Sequence, residues 1–233
     1  MEEQFERSEM MLGEEAMRRL AAARVAVIGI GGVGGYAVEA LARSGVGHLT
    51  LVDHDTVSKS NLNRQIVALH STVGRPKIEV AAERVLEINP RAEVTLKSML
   101  LLPENADELD LSHCDYIVDA IDTVSAKVEL ARRAEAAGVP VISALGTGNK
   151  LDITALRVTD IYKTEGCPLA RAVRTQCRRA GVKRLRVIFS PEPPCGTVLG
   201  EEHGRHAPGS MIFVPAAAGL MLAREVVLDL IKA

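Results

Sequence analysis

Gly29, Gly31 and Gly34 stand in the spacing G-x-G-x-x-G, with Gly32 between them. Each position has its own task. The first glycine permits a tight turn, the second lets backbone approach a phosphate, and the third packs the following helix close to the strand. Amides at the start of that helix then face the anion, where the helix dipole adds to them. The flanks are those this chemistry requires: the apolar run Val25–Ile28 precedes, and a helical stretch from Tyr36 to Arg43 follows. Asp53 closes the next apolar run, His48–Asp53. A carboxylate about 20 residues past such a turn accepts from ribose hydroxyls. The alternative role for Asp53 is a helix or loop cap.

A second group of residues argues against a dinucleotide. Asp53-His54-Asp55 leads to Asn61-Leu62-Asn63-Arg64-Gln65 and then to Gly74-Arg75-Pro76-Lys77. A dinucleotide site holds its pyrophosphate mostly with backbone amides and needs no row of cations. Here Arg64 and Lys77 supply two cations, and Asn61 and Gln65 supply amides, beyond the strand edge where a ligand lies. The set suits a triphosphate with an electrophilic α-phosphorus, although each charge alone, Lys77 above all, also reads as a solvated loop charge. Asp119-Ala120-Ile121-Asp122 ends another apolar strand at the same edge. Asp122 is expected in the switch-point crevice of an open α/β sheet. A carboxylate beside a triphosphate is repulsive unless magnesium lies between them, and magnesium takes one or two carboxylates plus phosphate oxygens. Asp119 reads as a capping or structural acid. Lys127 is expected to face either the site or solvent.

These residues need a scaffold, and the apolar pattern predicts one. Residues 9–22 have helical spacing with Gly13 as a blemish. Strands are expected at 25–28, 48–53, 94–97, 116–120 and 139–145, with helices at 36–43, 77–88 and 125–137 and a short helical piece near 61–69. The alternation predicts an α/β, doubly wound, Rossmann-like and mostly parallel sheet with helices on both faces. Beyond Gly146 a C-terminal extension is expected, with strands at 153–158 and 185–189, helices at 168–180 and 214–232, and a flexible loop at 191–210. The whole is expected to form one domain, with residues 1–22 as an arm and helix, 23–150 as the nucleotide-binding core and 151–233 as the extension.

Composition removes other classes. The formal net charge is -2, which excludes a globally basic nucleic-acid binder but not a local basic patch. Three Tyr, three Phe and no Trp leave little for stacking several bases. The four cysteines, Cys114, Cys167, Cys177 and Cys195, include no C-x-x-C pair, which speaks against a zinc ribbon or knuckle. The first residues carry no apolar run, and the longest apolar stretch, 211–223, falls short of the roughly 20 residues of a membrane span. A cytoplasmic protein with free thiols, without zinc or membrane, is the expectation.

Taken together, GIGGVG at 29–34, DHD at 53–55, NLNRQ at 61–65, the helix opened by Lys77 and DAID at 119–122 resemble the ThiF/MoeB/HesA superfamily of adenylating enzymes, relatives of the ubiquitin-activating enzymes. Within it the chain looks most like the tRNA threonylcarbamoyladenosine dehydratases, through INPRAEV at 88–94, VTDIYKTEGCPLA at 158–170 and VIFSPE at 187–192, and through its lack of paired zinc cysteines. The resemblance implies that ATP adenylates the carboxylate of a threonylcarbamoyl group on a tRNA adenosine, after which the group cyclises. It implies Gly29, Gly31, Gly32, Gly34, Asp53, Asp55 and Asn61 around the nucleotide, with Arg64, Gln65 and Lys77 on the phosphates and Asp122 on Mg2+. It also implies that Arg7, in QFERSEMMLG, reaches the partner subunit's ATP in a homodimer. One departure matters. Some members carry a cysteine shortly before Gly209-Ser210-Met211, where this chain has Arg205-His206-Ala207-Pro208, so a thioester at that place is excluded. Cys195 could substitute spatially, but Cys167, Cys177 and Cys195 read better as inert thiols. His203 and His206 read better as solvated than as proton carriers.

Between Lys163 and Arg186 eight basic residues face one acid, Glu165, a local charge of +7. Arg171, Arg174 and Arg178 recur at three and four residues and so share a helix face. This predicts a tRNA phosphate contact; the bland alternative is a solvated face. Competing readings of the whole chain are an adenylating enzyme for the C-terminus of a ubiquitin-like sulfur carrier, an NAD-binding oxidoreductase, and a non-catalytic nucleotide-binding scaffold.

Overall fold

A computed structural model describes residues 3–196 and 208–232 of the chain. Seven strands form one sheet: β1 (Arg24–Ile28), β2 (His48–Val52), β3 (Glu93–Lys97), β4 (Tyr116–Asp119), β5 (Val141–Ala144), β6 (Arg157–Asp160) and β7 (Arg186–Phe189). Their order is β3-β2-β1-β4-β5-β7-β6, with β6 alone antiparallel to its neighbour. Strands buried on both faces need continuous apolar runs, and β1 and β4 supply them. The winding direction reverses between β1 and β4, so the switch point lies beyond Ile28 and Asp119, which are paired in register.

Among the described residues seven α-helices accompany the sheet: α1 (Glu6–Leu12), α2 (Glu14–Ala22), α3 (Gly34–Arg43), α4 (Lys77–Ile88), α5 (Val124–Ala137), α6 (Pro168–Arg179) and α7 (Phe213–Leu230). The helix expected over residues 9–22 is two helices, because Gly13 has a φ of 84° and donates to Glu9 O as a C-terminal cap. α3 buries Ala37, Val38, Leu41 and Ala42. α7 lies on α3 at Gly219, where a β-carbon would stand 2.3 Å from Val33 O. That close approach buries Val214, Ala218 and Leu222, while Met211, Phe213 and Leu220 remain exposed.

Two further expected elements differ. The helical piece near 61–69 is a single 3-10 turn, Lys59–Asn61, followed by turns. Asn61 Oδ1 accepts from Ser58 N–H at 3.0 Å, and Thr72 Oγ1 donates to Val67 O at 2.7 Å. Such local side-chain bonds compete with a helix. The strand expected at 153–158 starts only at Arg157, because Asp152 caps a 3-10 turn at Ile153–Ala155 by accepting from Thr154 N–H at 2.8 Å.

Candidate active site

The glycine turn follows β1 directly. Gly29 has a φ of 91°, and a β-carbon there would sit 2.8 Å from Ala120 O. At Gly34 it would sit 1.8 Å from Gly29 O, so the first and last glycines are required by the protein itself. Gly31 differs. Its φ is not positive, and the nearest atom a β-carbon would meet is Gln65 Nε2 at 3.9 Å. No packing demands a glycine there, and its open face looks toward the cleft. At Gly32 the neighbours are Pro215 Cβ at 3.4 Å and Arg64 Cγ at 3.6 Å. The 61–65 loop therefore leans over the glycine turn.

Asp53, at the end of β2, ties this turn to the next loop. Its Oδ2 accepts from Ile30 N–H at 2.6 Å and its Oδ1 from Asp55 N–H at 2.8 Å. Asp53 is thus a cap, and among the described residues each of its oxygens takes one backbone N–H. Gln65 is buried, with its Nε2 toward Gly31 and, among the described residues, no hydrogen-bond partner for its Oε1. Buried polar atoms are almost always paired, so this acceptor oxygen calls for a donor such as an ordered water or a ligand group. Asn61 is buried and partly committed to its own turn. Arg64 donates to Ser60 O at 2.8 Å and to Asn63 Oδ1 at 3.1 Å.

Lys77, at the start of α4, is buried, and its Nζ donates to Asp55 Oδ2 at 2.7 Å. His54 Nε2 lies 3.2 Å from the other Asp55 oxygen. Asp53, His54 and Asp55 bring ligand atoms within 4.8 Å of one another, as a cation site would. The Lys77 ammonium already supplies the positive charge there. Asp122 is exposed past β4, and among the described residues its carboxylate takes one hydrogen bond, from Thr123 Oγ1 at 3.3 Å. One open carboxylate at the phosphate edge fits magnesium, which keeps waters and phosphate oxygens as its other ligands.

Arg7 is not brought to this site by its own chain. Its neighbour Phe5 packs on Gly45, past the far end of α3 from the glycine turn. Arg7 itself is exposed. Lys127 corrects the expectation made for it: it faces neither the site nor solvent. It is wholly buried, donating to Asp119 Oδ1 at 3.0 Å, and Asp119 is the structural acid expected. Its place amid buried Ala126, Val128 and Leu130 on α5 was the available signal. Sequence reasoning also missed Lys150, buried at the β5–β7 end of the same edge, where it donates to Ser190 O.

The basic face is smaller than its sequence count. Arg171 and Arg178 are exposed, and Arg178 lies 5.4 Å from the Tyr162 ring centroid. Arg174 is half-buried and donates to Thr164 O at 2.7 Å and Thr164 Oγ1 at 2.6 Å. Arg186 is paired with Glu225 and Asp229. Two of the three thiols read as inert are buried. Cys167 Sγ accepts from Ala170 N–H as the cap of α6, and burial pushes the Cys177 thiol up to about 11. Cys195 is exposed. His203, Arg205 and His206 lie outside the described residues.

The ThiF family profile matches residues 5–232. The tRNA threonylcarbamoyladenosine dehydratase of Bacillus subtilis is 41% identical over 243 residues, covering 98% of this chain and 95% of that protein. The molybdopterin-synthase adenylyltransferase of Escherichia coli is 38% identical over 88% of this chain and 82% of its own length. The structure of the E. coli tRNA N6-threonylcarbamoyladenosine dehydratase in complex with ATP superposes with a TM-score of 0.89 at 33% identity, covering 98% of this chain and 94% of that one. With its glycine turn, buried Gln65 and Lys77 at the switch point of a doubly wound sheet, the chain belongs to the ThiF family.

Proposed function

We propose that this protein is an ATP-dependent tRNA threonylcarbamoyladenosine dehydratase acting at the β1–β4 switch point. The observation that carries the nucleotide is Gly31, a glycine that no neighbouring atom of the described residues requires, with the amide nitrogen of buried Gln65 nearest to it. The relatives in B. subtilis and E. coli carry the substrate.

The chemistry follows from the charges. The threonylcarbamoyl carboxylate attacks the α-phosphorus of ATP, the bond to the β-phosphate oxygen breaks, and pyrophosphate leaves. An anion thereby approaches an anion, so the cleft must neutralise both. Amides of the glycine turn and of α3 face the phosphates. Arg64 contacts phosphate oxygens through its planar fork, and Lys77 acts as a point charge. Asp53 holds the ribose, with Asp55 and Asn61 shaping the loop beneath the phosphates. Asp122 holds magnesium, which when bound neutralises phosphate charge. A nitrogen of the same threonylcarbamoyl group then attacks the activated carbonyl, a proton is lost and AMP leaves, so the net change is loss of water. No enzyme nucleophile is needed, which agrees with capped Cys167 and buried Cys177.

The protein acts as a cytoplasmic homodimer in which Arg7 reaches the partner subunit's ATP, as one domain without zinc. The far position of Arg7 from its own glycine turn and the exposed Met211, Phe213 and Leu220 support this. Among the described residues no helix is long and apolar enough to cross a membrane. The tRNA lies along α6, on Arg171 and Arg178, with Arg174 bracing the helix. Pyrophosphate release is the test, with threonylcarbamoyl-modified tRNA in one arm and a sulfur-carrier protein in the other. Release with the tRNA alone supports the proposal; release with the carrier alone replaces it by the adenylyltransferase reading.

A further inference from the structure

Lys127, Asp119 and Ser143 form a closed polar network beneath the switch point. Lys127 Nζ donates to Asp119 Oδ1 at 3.0 Å and to Ser143 Oγ at 3.1 Å, and Ser143 Oγ donates to Asp119 Oδ2 at 2.6 Å. The three residues are 0%, 1% and 0% exposed and come from α5, β4 and β5. A pair this buried is poor evidence for stability, because desolvation offsets the attraction and apolar side chains of similar volume often serve as well. Geometry is where it differs from an apolar cluster. Directional bonds fix one helix against two strands in a single register.

The element so fixed is the turn that carries Asp122. Asp119 Oδ1 also accepts from Ile121 N–H at 3.1 Å, and Lys127 N–H donates to Thr123 O at 3.1 Å. Asp122 lies between those two anchored residues. On its other side the turn abuts the glycine turn: Ala120 N–H donates to Ile28 O at 2.8 Å, and Ala120 O fills the space a side chain on Gly29 would need. Among the described residues the Asp122 side chain has one weak tether of its own, the 3.3 Å bond from Thr123 Oγ1. Its position is therefore set by its backbone, and its backbone by the network.

We infer that Asp119, Lys127 and Ser143 are positioning residues that set the Asp122 carboxylate at the distance from the glycine turn that a magnesium-bound triphosphate requires. The inference rests on the role proposed above for Asp122. A displacement of about 1 Å at such a site costs up to 10²-fold in rate.

Ser143→Ala is the sharpest probe, since it removes two of the three bonds while leaving the charge pair and the cleft surface untouched. Calorimetric titration of ATP at a series of magnesium concentrations reads the effect directly. The expected result is ATP affinity without magnesium within twofold of wild type, and a magnesium concentration for half-maximal enhancement raised at least fivefold. The Asp119→Asn/Lys127→Met double variant, which removes both charges at similar volume, should show the same shift. Wild-type magnesium dependence in either folded variant overturns the inference alone. Loss of cooperative melting in both makes the network a determinant of the fold only, and equally overturns it. Wild-type protein that binds ATP with no response to magnesium removes the role of Asp122, and the inference with it.

Discussion

Lys77 Nζ lies 2.7 Å from Asp55 Oδ2, with the lysine side chain 6% exposed and the aspartate 50% exposed. The proposed phosphate cation is thus buried, held by a partner that opens onto the cleft. A triphosphate arriving there meets an ammonium already dehydrated and aimed. Lys77→Met should therefore cut pyrophosphate exchange by about 10²–10³-fold, the loss typical of one preorganised donor. Asp55→Asn keeps an oxygen acceptor but leaves the ammonium without a countercharge, and should lower stability by about 1–3 kcal/mol. Thermal melting and exchange, measured on both variants, separate the two effects. Equal activity loss with unchanged melting in both would mean Asp55 serves only the ligand.

The glycine turn makes a prediction of opposite signs. Gly31→Ala places a methyl group where no protein atom lies within 3.9 Å, so stability should change by no more than about 1 kcal/mol. ATP affinity should nonetheless fall at least tenfold. Gly34→Ala drives a methyl group to 1.8 Å from Gly29 O and should destabilise the fold by about 3 kcal/mol or more. Wild-type ATP affinity in the Gly31→Ala variant would show that the nucleotide lies elsewhere.

Much of this was legible in the sequence, and the reason is local. Gly34, which approaches Gly29 O, and the run 77–88 after Pro76 act through neighbouring backbone, and the structure has helix α4 at the expected residues. Lys127 was not legible, because its partner Asp119 is eight residues away and the third member, Ser143, comes from another strand. The bonds of Arg174 were hidden for the same reason: helical spacing places it on the basic face, but only the fold brings Thr164 beneath it.

Arg64→Ala and Asp122→Ala should each lower adenylation strongly with little effect on melting, since neither side chain lies in the core. Their trans counterpart is Arg7. Mixed dimers of Arg7→Ala and Asp122→Ala subunits should regain part of the wild-type rate, because one of the two sites then has both residues. Verified mixed dimers with no activity above that of the parents would place Arg7 in cis or outside the site.

The thiols should separate by exposure. At pH 8 a thiol with a pKa of about 11 is almost wholly protonated, and only the thiolate reacts. Cys195 is therefore expected to alkylate quickly in the native protein, with Cys177 reacting only after unfolding. Mass spectrometry of native and denatured samples reads both rates. Full dehydratase activity after Cys195 alone is blocked would show that cyclisation does not use the Cys195 thiol.

The basic helix divides into exposed and bracing residues. Arg174 holds Thr164 through two bonds, so Arg174→Gln mixes a loss of stability with any loss of RNA contact. Arg171 and Arg178 are exposed, and the Arg171→Gln/Arg178→Gln double variant tests the surface more cleanly. Each lost phosphate contact lowers the slope of log affinity against log salt by roughly 0.9 on a duplex and about 0.7 on a single strand. Two lost contacts should therefore flatten the slope by about 1.4–1.8. ATP affinity should stay the same, because α6 packs on α5 and the β5–β7 side of the sheet rather than on the glycine turn. Arg174→Gln, by contrast, should lower the melting temperature and flatten the slope little. If the double variant binds tRNA like wild type across several salt concentrations, the face is only solvated. The RNA is then held elsewhere, and Arg205 with its neighbouring histidines becomes the next segment to vary.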